Sequence, residues 1–490
     1  MKRTIEKIKG RKGITLIALV VTIVVILILA GVSVNVLIES NLIEKAKVAE
    51  TKYEQSKIDE KMEIGKAEDV INEYLNGKIV EESKDKKPGE LEKEDDTTYI
   101  INSIEDLVVF SNTVTTGEDN FEGKTVKLGC DLDFNSIKSY VEPYRTDYAK
   151  YGYDGELKEL LTSGEGFKTI GVTTEDNSSK SFCGTFEGNG KTIYNLYINV
   201  VSTAAKKEKR GLFASNIGTI NNLNLLEVNL YLKYCPEDTV DKSGKIAGIC
   251  AQNAKKGVVN NCKVSGKIEL NTPLINSSIG GIVAYATGNI NNCVNMAQVI
   301  FRNDEIIKDS ISIGGICGGA AKSSIENCYN TGKVSAFAKE GKALVGGIVG
   351  SGSSSTIKNC YNTGKISGET KLILRVGGIC GNLGEGSIIN AYSTGEIAGN
   401  NAEKTSLGMI IGINNLGSFE NIYYLKNSDI KGIGEADTSQ KLGNDELMAK
   451  TEEQMKSKEF VTILNQQGTS NWLKDEIGIN NGYPILKLSN

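Results

Sequence analysis

Three patterns of apolar positions divide the chain. The first is an uninterrupted run, I-T-L-I-A-L-V-V-T-I-V-V-I-L-I-L-A-G-V-S-V, which begins at Ile14 and ends at Val34 and carries no charge. At about 1.5 Å per helical residue it is long enough to cross a bilayer. Lys2, Arg3, Lys7, Lys9, Arg11 and Lys12 precede it. A basic flank of this kind keeps the N-terminus inside, so everything after Val34 is expected outside the membrane. The run passes into Leu42, Ile43, Ala46, Val48 and Ala49 and a Lys/Glu-rich stretch reaching Leu75. Residues 14–78 thus read as one transmembrane and stalk helix, behind a basic leader over 1–13. Residues 79–97 are charged, contain Pro88-Gly89, and read as a solvated linker.

The second pattern is a set of short apolar segments that recur. I-G-G-I-C-G (313–318), V-G-G-I-V-G (345–350) and V-G-G-I-C-G (376–381) are the clearest copies, with looser ones at 246–251, 279–284 and 407–412. Their central residues are Ile249, Ile282, Ile316, Ile348, Ile379 and Ile410, spaced 33, 34, 32, 31 and 31 apart. A second motif follows about eleven residues on: I-E-N-C-Y-N-T-G-K-V at 325–334, I-K-N-C-Y-N-T-G-K-I at 357–366 and I-I-N-A-Y-S-T-G-E-I at 388–397. Segments this short cannot be helices. G-G-I, I-x-N-C-Y and K-V/I-S suit three strands of one coil, with Gly and Asn in left-handed turns. The expected fold is therefore mainly β, a parallel β-helix (β-solenoid) of about 31-residue rungs over 201–430, stacked at about 4.8 Å per rung. Ile357 and Cys360 are three apart, so a bend at Asn359 is needed to turn both inward. Asn261, Asn292, Asn327, Asn359, Asn390 and Asn421 then form a column of turn residues.

The third pattern is irregular and flanks the repeats. Residues 98–200 read as an α+β N-terminal cap: a helix N-capped by Ser103 with Asp106 at a capping-box spacing, strands at 125–128 and 132–134, and a Gly/Asn turn leading into a strand over 193–200. Asp131 and Asp133 have no evident partner there. Residues 431–490 read as a C-terminal cap, with an amphipathic helix over 446–464 and Trp472 and residues 482–486 closing the apolar end.

Composition removes several chemistries. The 490 residues include 54 Gly but only 5 Pro, and the formal charge is −5. No Lys/Arg clustering suggests nucleic acid. There is no His, which excludes Ser-His-Asp and Cys-His nucleophiles and His-containing metal sites. No cofactor and no metal are expected. Of the ten Cys, Cys262, Cys293, Cys328 and Cys360 fall in one repeat column and Cys250, Cys317 and Cys380 in another. Ala391 replaces one member, so packing rather than cross-linking is the favoured explanation.

Lys12-Gly13-Ile14-Thr15-Leu16-Ile17-Ala18-Leu19 and the apolar run after it resemble type IV pilins and pseudopilins. The resemblance implies cleavage by a prepilin peptidase between Gly13 and Ile14 and methylation of the new terminus. Ile14 stands where Phe is common. Ala18 stands where that family carries a Glu thought to pair with a neighbouring subunit, which counts against a main filament role. Residues 211–425 resemble the GLUG repeats of bacterial surface proteins, which implies a β-helical exported module. GLUG repeats also occur beside metalloprotease domains, but the absence of H-E-x-x-H leaves that activity behind.

Tyr329, Tyr361, Tyr392 and Tyr423 form a further column, readable as a packing ladder or as a stacking surface for a glycan or a cell-surface protein. The expected function is a membrane-anchored or pilus-associated display protein acting in adhesion or structural binding, with no catalytic residues. Two alternatives stay open: a carbohydrate-active β-helix enzyme, and a minor pilin or pseudopilin scaffold with pilus or secretion subunits as partners.

Overall fold

The computed structural model describes residues 90–140, 153, 156–173, 178–203, 208–234, 243–273, 277–400, 402–426, 430–436, 447–466 and 471–487. The leader, the span from Ile14 to Val34, the stalk helix and the cleavage positions Gly13, Ile14 and Ala18 lie outside the described residues. Among the described residues no helix is long and apolar enough to cross a membrane.

The repeats stack as a β-solenoid of parallel, in-register strands. One inward column runs Val126, Phe186, Ile220, Val259, Ile290, Ile325, Ile357, Ile388 and Phe419 through successive turns. The six central isoleucines, Ile249 to Ile410, are all fully buried. Each such side chain contributes roughly 1.5–3 kcal/mol by leaving water, so the period is held by one continuous apolar axis. The expected Asn column is also present. Asn261, Asn292, Asn327, Asn359, Asn390 and Asn421 have φ of 49–55°. That left-handed geometry turns the chain so that Ile357 and Cys360 both point inward, each 0% exposed. Side-chain amides link the column between turns, Asn359 Nδ2 donating to Asn327 Oδ1 at 3.1 Å and Asn390 Nδ2 to Asn359 Oδ1 at 2.7 Å.

The double glycines do something other than expected. G-G-I is not a strand, and its glycines are absent from the positive-φ residues. In the turn around Ile348, one strand ends at Gly346 and the next begins at Val349, so Gly347-Ile348 is a corner. A Cβ on Gly347 would lie 2.1 Å from the Gly378 carbonyl of the next turn and 2.4 Å from Asn362 Cγ. Gly281 and Gly315 meet Asn295 and Asn330 in the same way. Glycine is required there for room, not for a left-handed backbone.

Those contacts expose a second, internal Asn column. Asn295 Nδ2 donates to Asn330 Oδ1 at 2.7 Å, and Asn330 Nδ2 to Asn362 Oδ1 at 2.8 Å. Each amide also donates to a carbonyl two residues on, that of Ala297, Gly332 or Gly364. All three residues are fully buried. The column therefore satisfies its own amides and the carbonyls of the turn that follows it inside an apolar interior, where leaving them unpaired would cost about 1–3 kcal/mol each.

At the N-terminal end, the helix Ile104–Thr116 places Phe110 among Phe121, Phe182, Phe186 and Phe213. Ser103 Oγ accepts from the Asp106 N–H at 3.2 Å as expected, while Asp106 accepts from Asn102 N–H rather than from the N-cap itself. Asp131 and Asp133 do have partners: Asp131 accepts from Thr192 N–H and Asp133 from Asn195 Nδ2, both at 2.8 Å. The strand expected over 193–200 is two, Thr192–Tyr194 and Tyr197–Ser202, broken at Asn195 with φ 59°. The end of the charged linker is also drawn in, because Glu92–Lys93 pairs antiparallel with Thr98–Ile101.

The nine described cysteines are free thiols, and the seven repeat cysteines are buried. Burial pushes the thiols of Cys250 and Cys380 up to about 12, so they stay neutral and serve as small core residues.

Candidate functional site

The Tyr column is the residue set singled out for binding, and its geometry follows from the Asn turn before it. Cys360 and Asn362 point inward, so Tyr361 between them points outward. Parallel registration then places Tyr329, Tyr361, Tyr392 and Tyr423 above one another. The rings of Tyr329 and Tyr361 stack at 4.6 Å and 6°, those of Tyr361 and Tyr392 at 5.0 Å and 5°.

This outward face is already occupied. The C-terminal segment lies along it, and with Met455, Phe460, Leu464, Trp472, Tyr483 and Leu486 it forms a second apolar cluster separate from the solenoid interior. Trp472 packs on Tyr361 and Tyr392 at 5.9 and 5.6 Å, and Phe460 meets Tyr392 and Tyr423 edge-on. Tyr361, Tyr392 and Tyr423 are at most 2% exposed, whereas Tyr329 at the ladder's end is half-buried. The stacking surface is therefore used by the chain itself over three of its four rings. Residues 471–487 do not close the end of the solenoid, as the sequence had suggested. They strap its flank.

The single helix expected over 446–464 is also broken. Leu447–Lys450 is a strand on the last turn, followed by helices Glu452–Met455 and Lys458–Asn465. Thr451 and Ser457 each accept from a backbone N–H three residues on and start a new helix, which interrupts the apolar periodicity.

Polar contacts fix the strap in register. Tyr392 Oη donates to the Pro484 carbonyl and accepts from Asn480 Nδ2 at 2.9 Å. Asn390 Nδ2 donates to the Leu464 carbonyl at 2.9 Å, and Asn471 Nδ2 to Asn327 Oδ1 at 3.1 Å. Asp475 gathers the loop by accepting from the backbone N–H groups of Ile479, Asn480 and Gly482. Burial drives the Tyr361 and Tyr392 hydroxyls well above their ordinary range, so they act as neutral donors and acceptors.

Trp472 is the chain's single Trp, and its removal should detach the strap. Trp472→Ala is expected to cost about 3–5 kcal/mol of local stability. Limited proteolysis should then cut between residues 466 and 487 at least tenfold faster while the solenoid stays intact. An unchanged cleavage rate would show that Phe460 and the polar contacts hold the segment alone.

Other outward positions behave more simply. Lys365 and Glu396 are exposed and pair at 2.7 Å between turns, a contact worth little in water. Among the described residues no group of three or more Cys, Asp or Glu is placed to hold a metal ion.

Among curated proteins none matches the chain. Among solved structures, one described as a candidate immunoglobulin A1 protease from Bacteroides ovatus aligns over 80% of this chain and 93% of its own, at 19% identity and a TM-score of 0.43. The family model described as the GLUG motif matches residues 309–335 and 341–367. Each matched segment spans the corner and the Asn turn of one coil, so the chain carries GLUG motif repeats and builds a β-solenoid from them.

Proposed function

We propose that the chain is a surface-display protein: residues 14–34 anchor it in the membrane after pilin-type processing, and the solenoid stands outside as a stiff rod acting in adhesion or structural binding. The observation that carries this reading is the in-register stack itself. Every turn from residue 185 to 425 hydrogen-bonds to the turns before and after it, so the rod holds its shape and presents long flanks rather than a single pocket. The free thiols and the GLUG match fit a repeat module whose interior is purely structural. The basic flank and the apolar run from Ile14 to Val34 supply the anchor, and Gly13-Ile14 the processing point.

The test is the mature N-terminus, read by mass spectrometry from membranes of a host that carries a prepilin peptidase. N-methylated Ile14 is the expected terminus, with the solenoid digested when intact cells are treated with protease. An unprocessed Met1 in a protease-protected protein would refute both the anchor and the display role.

A further inference from the structure

The strap carries an apolar tip that its own chain leaves uncovered. Residues 473–482 read L-K-D-E-I-G-I-N-N-G. The Asp475 carboxylate is buried and accepts from the N–H groups of Ile479, Asn480 and Gly482 at 3.0, 2.8 and 2.9 Å. Gly478, Asn481 and Gly482 supply left-handed backbone, with φ of 77°, 53° and 85°. The loop is thereby closed around Asp475, and Ile477 and Ile479 are turned outward. They are 77% and 66% exposed, and Leu473 at the start of the loop is 43% exposed. A Cβ on Gly478, between the two isoleucines, would meet no atom within 4 Å, so the apex projects into solvent. A single exposed Ile is ordinary, but two held out by a buried carboxylate and three left-handed residues mark a contact surface.

The same C-terminal segment carries an open pocket of about 350 Å³. It lies where the last strand, Leu447–Lys450, meets the helices Glu452–Met455 and Lys458–Asn465. Phe460, which is buried, and Ile463, which is half-buried, form its apolar side, while Glu453, Gln454 and Glu459 are exposed around it. Lys450 lines it as well, its ammonium 5.2 Å from the Tyr423 ring centroid and 5.8 Å from that of Phe460. Among the described residues no carboxylate pairs with Lys450. The tip of the same chain does not fill this pocket, since Ile477 and Ile479 stay exposed.

We propose that the tip of one copy inserts into the pocket of a second copy, so that the chain forms a two-fold dimer through its C-terminal segment. Ile477 and Ile479 pack against Phe460 and Ile463 of the second copy. The Glu476 carboxylate, on a side chain that is 66% exposed, meets the second copy's Lys450. Lys474 then faces the acidic rim formed by Glu453 and Glu459. Apolar tip and apolar pocket are thus flanked by charges of opposite sign, and a two-fold axis makes the contact twice, tip to pocket and pocket to tip. A bilayer is the poorer occupant, because Glu476 beside Ile477 would enter hydrocarbon without a partner. The inference goes beyond the display role and does not depend on it.

The experiment uses the purified full-length chain in detergent, with sedimentation measured over a concentration series. The wild-type chain should be dimeric. Ile477→Asp combined with Ile479→Asp should raise the dimer dissociation constant at least about tenfold, with an unchanged melting curve because both positions face solvent. Glu476→Lys and Lys450→Glu should each weaken the dimer, and the two in one chain should restore it, a pattern that association through the run from Ile14 to Val34 does not produce. A photo-crosslinking side chain placed at position 477 keeps the test valid if Lys450→Glu melts abnormally. In a mixture of isotopically light and heavy copies it should join different chains, at residues 450–463. A monomeric wild-type chain, which would leave the tip to lipid or to another protein, would overturn the proposal. So would a dimer untouched by the paired Asp substitutions, a charge reversal that fails to restore association in a normally melting chain, or cross-links confined to one chain.

Discussion

Gly347→Ala should destabilise the central turns by about 3 kcal/mol or more, at the upper end of overpacking costs, whereas Gly352→Ala, five residues on, should be close to neutral. The two positions differ in what an added methyl meets. At Gly347 it would lie 2.1 Å from the Gly378 carbonyl and 2.4 Å from Asn362 Cγ. Neither can retreat cheaply. The carbonyl belongs to the backbone of the next turn, and Asn362 bridges to Asn330 and to Gly364. At Gly352 the nearest atom is Leu383 Cδ1 at 3.7 Å, an ordinary contact. Neither glycine has a left-handed φ, so backbone freedom does not confuse the comparison. Denaturant midpoints of the two variants provide the measurement. Equal midpoints would mean that the corner tolerates a side chain and that the double glycine has another cause.

Ile348→Asp should be more damaging still, because it places a charge where no partner exists. Ile348 is fully buried within the continuous interior. An unpaired carboxylate there would either remain protonated or draw water into the axis, at a cost of several kcal/mol. Ile348→Val, which removes one methylene, should cost only about 0.5–1.5 kcal/mol. The expected signature is loss of protection around residues 311–400 in hydrogen exchange for the Asp variant, with the N-terminal cap and its Phe cluster still protected. Uniform protection in the Asp variant would sink the assignment of Ile348 to the axis.

Both predictions concern positions that the repeat makes visible. A turn that recurs every thirty-odd residues shows its interior as recurring Ile, its bends as recurring Asn and its outward faces as positions that vary, as Glu326 and Lys358 do in the same phase. Parallel registration then follows, since only stacking brings equal positions together. The role of the double glycine was not visible in the same way. The sequence shows that glycine recurs but not whether it is there for φ or for space, and only the approach of Gly378 and Asn362 to Gly347 separates the two. The same holds for Asn330 and Asn362, whose recurrence beside Tyr marks them without revealing that they point inward and pair.

What the sequence alone determined is the periodic frame: the coil, its length, the Ile axis, the Asn bends and the stacked Tyr column. What only the tertiary structure decided is what the recurring Gly and inner Asn residues do, and every contact that occurs once. The strap along the Tyr ladder joins Asn471 to Asn327 and Leu464 to Asn390 across long stretches of chain. A periodic position is repeated in the sequence and so is marked there, even where its contact is not. A single long-range contact leaves no echo, because its partners are chosen by where the folded surfaces come to lie.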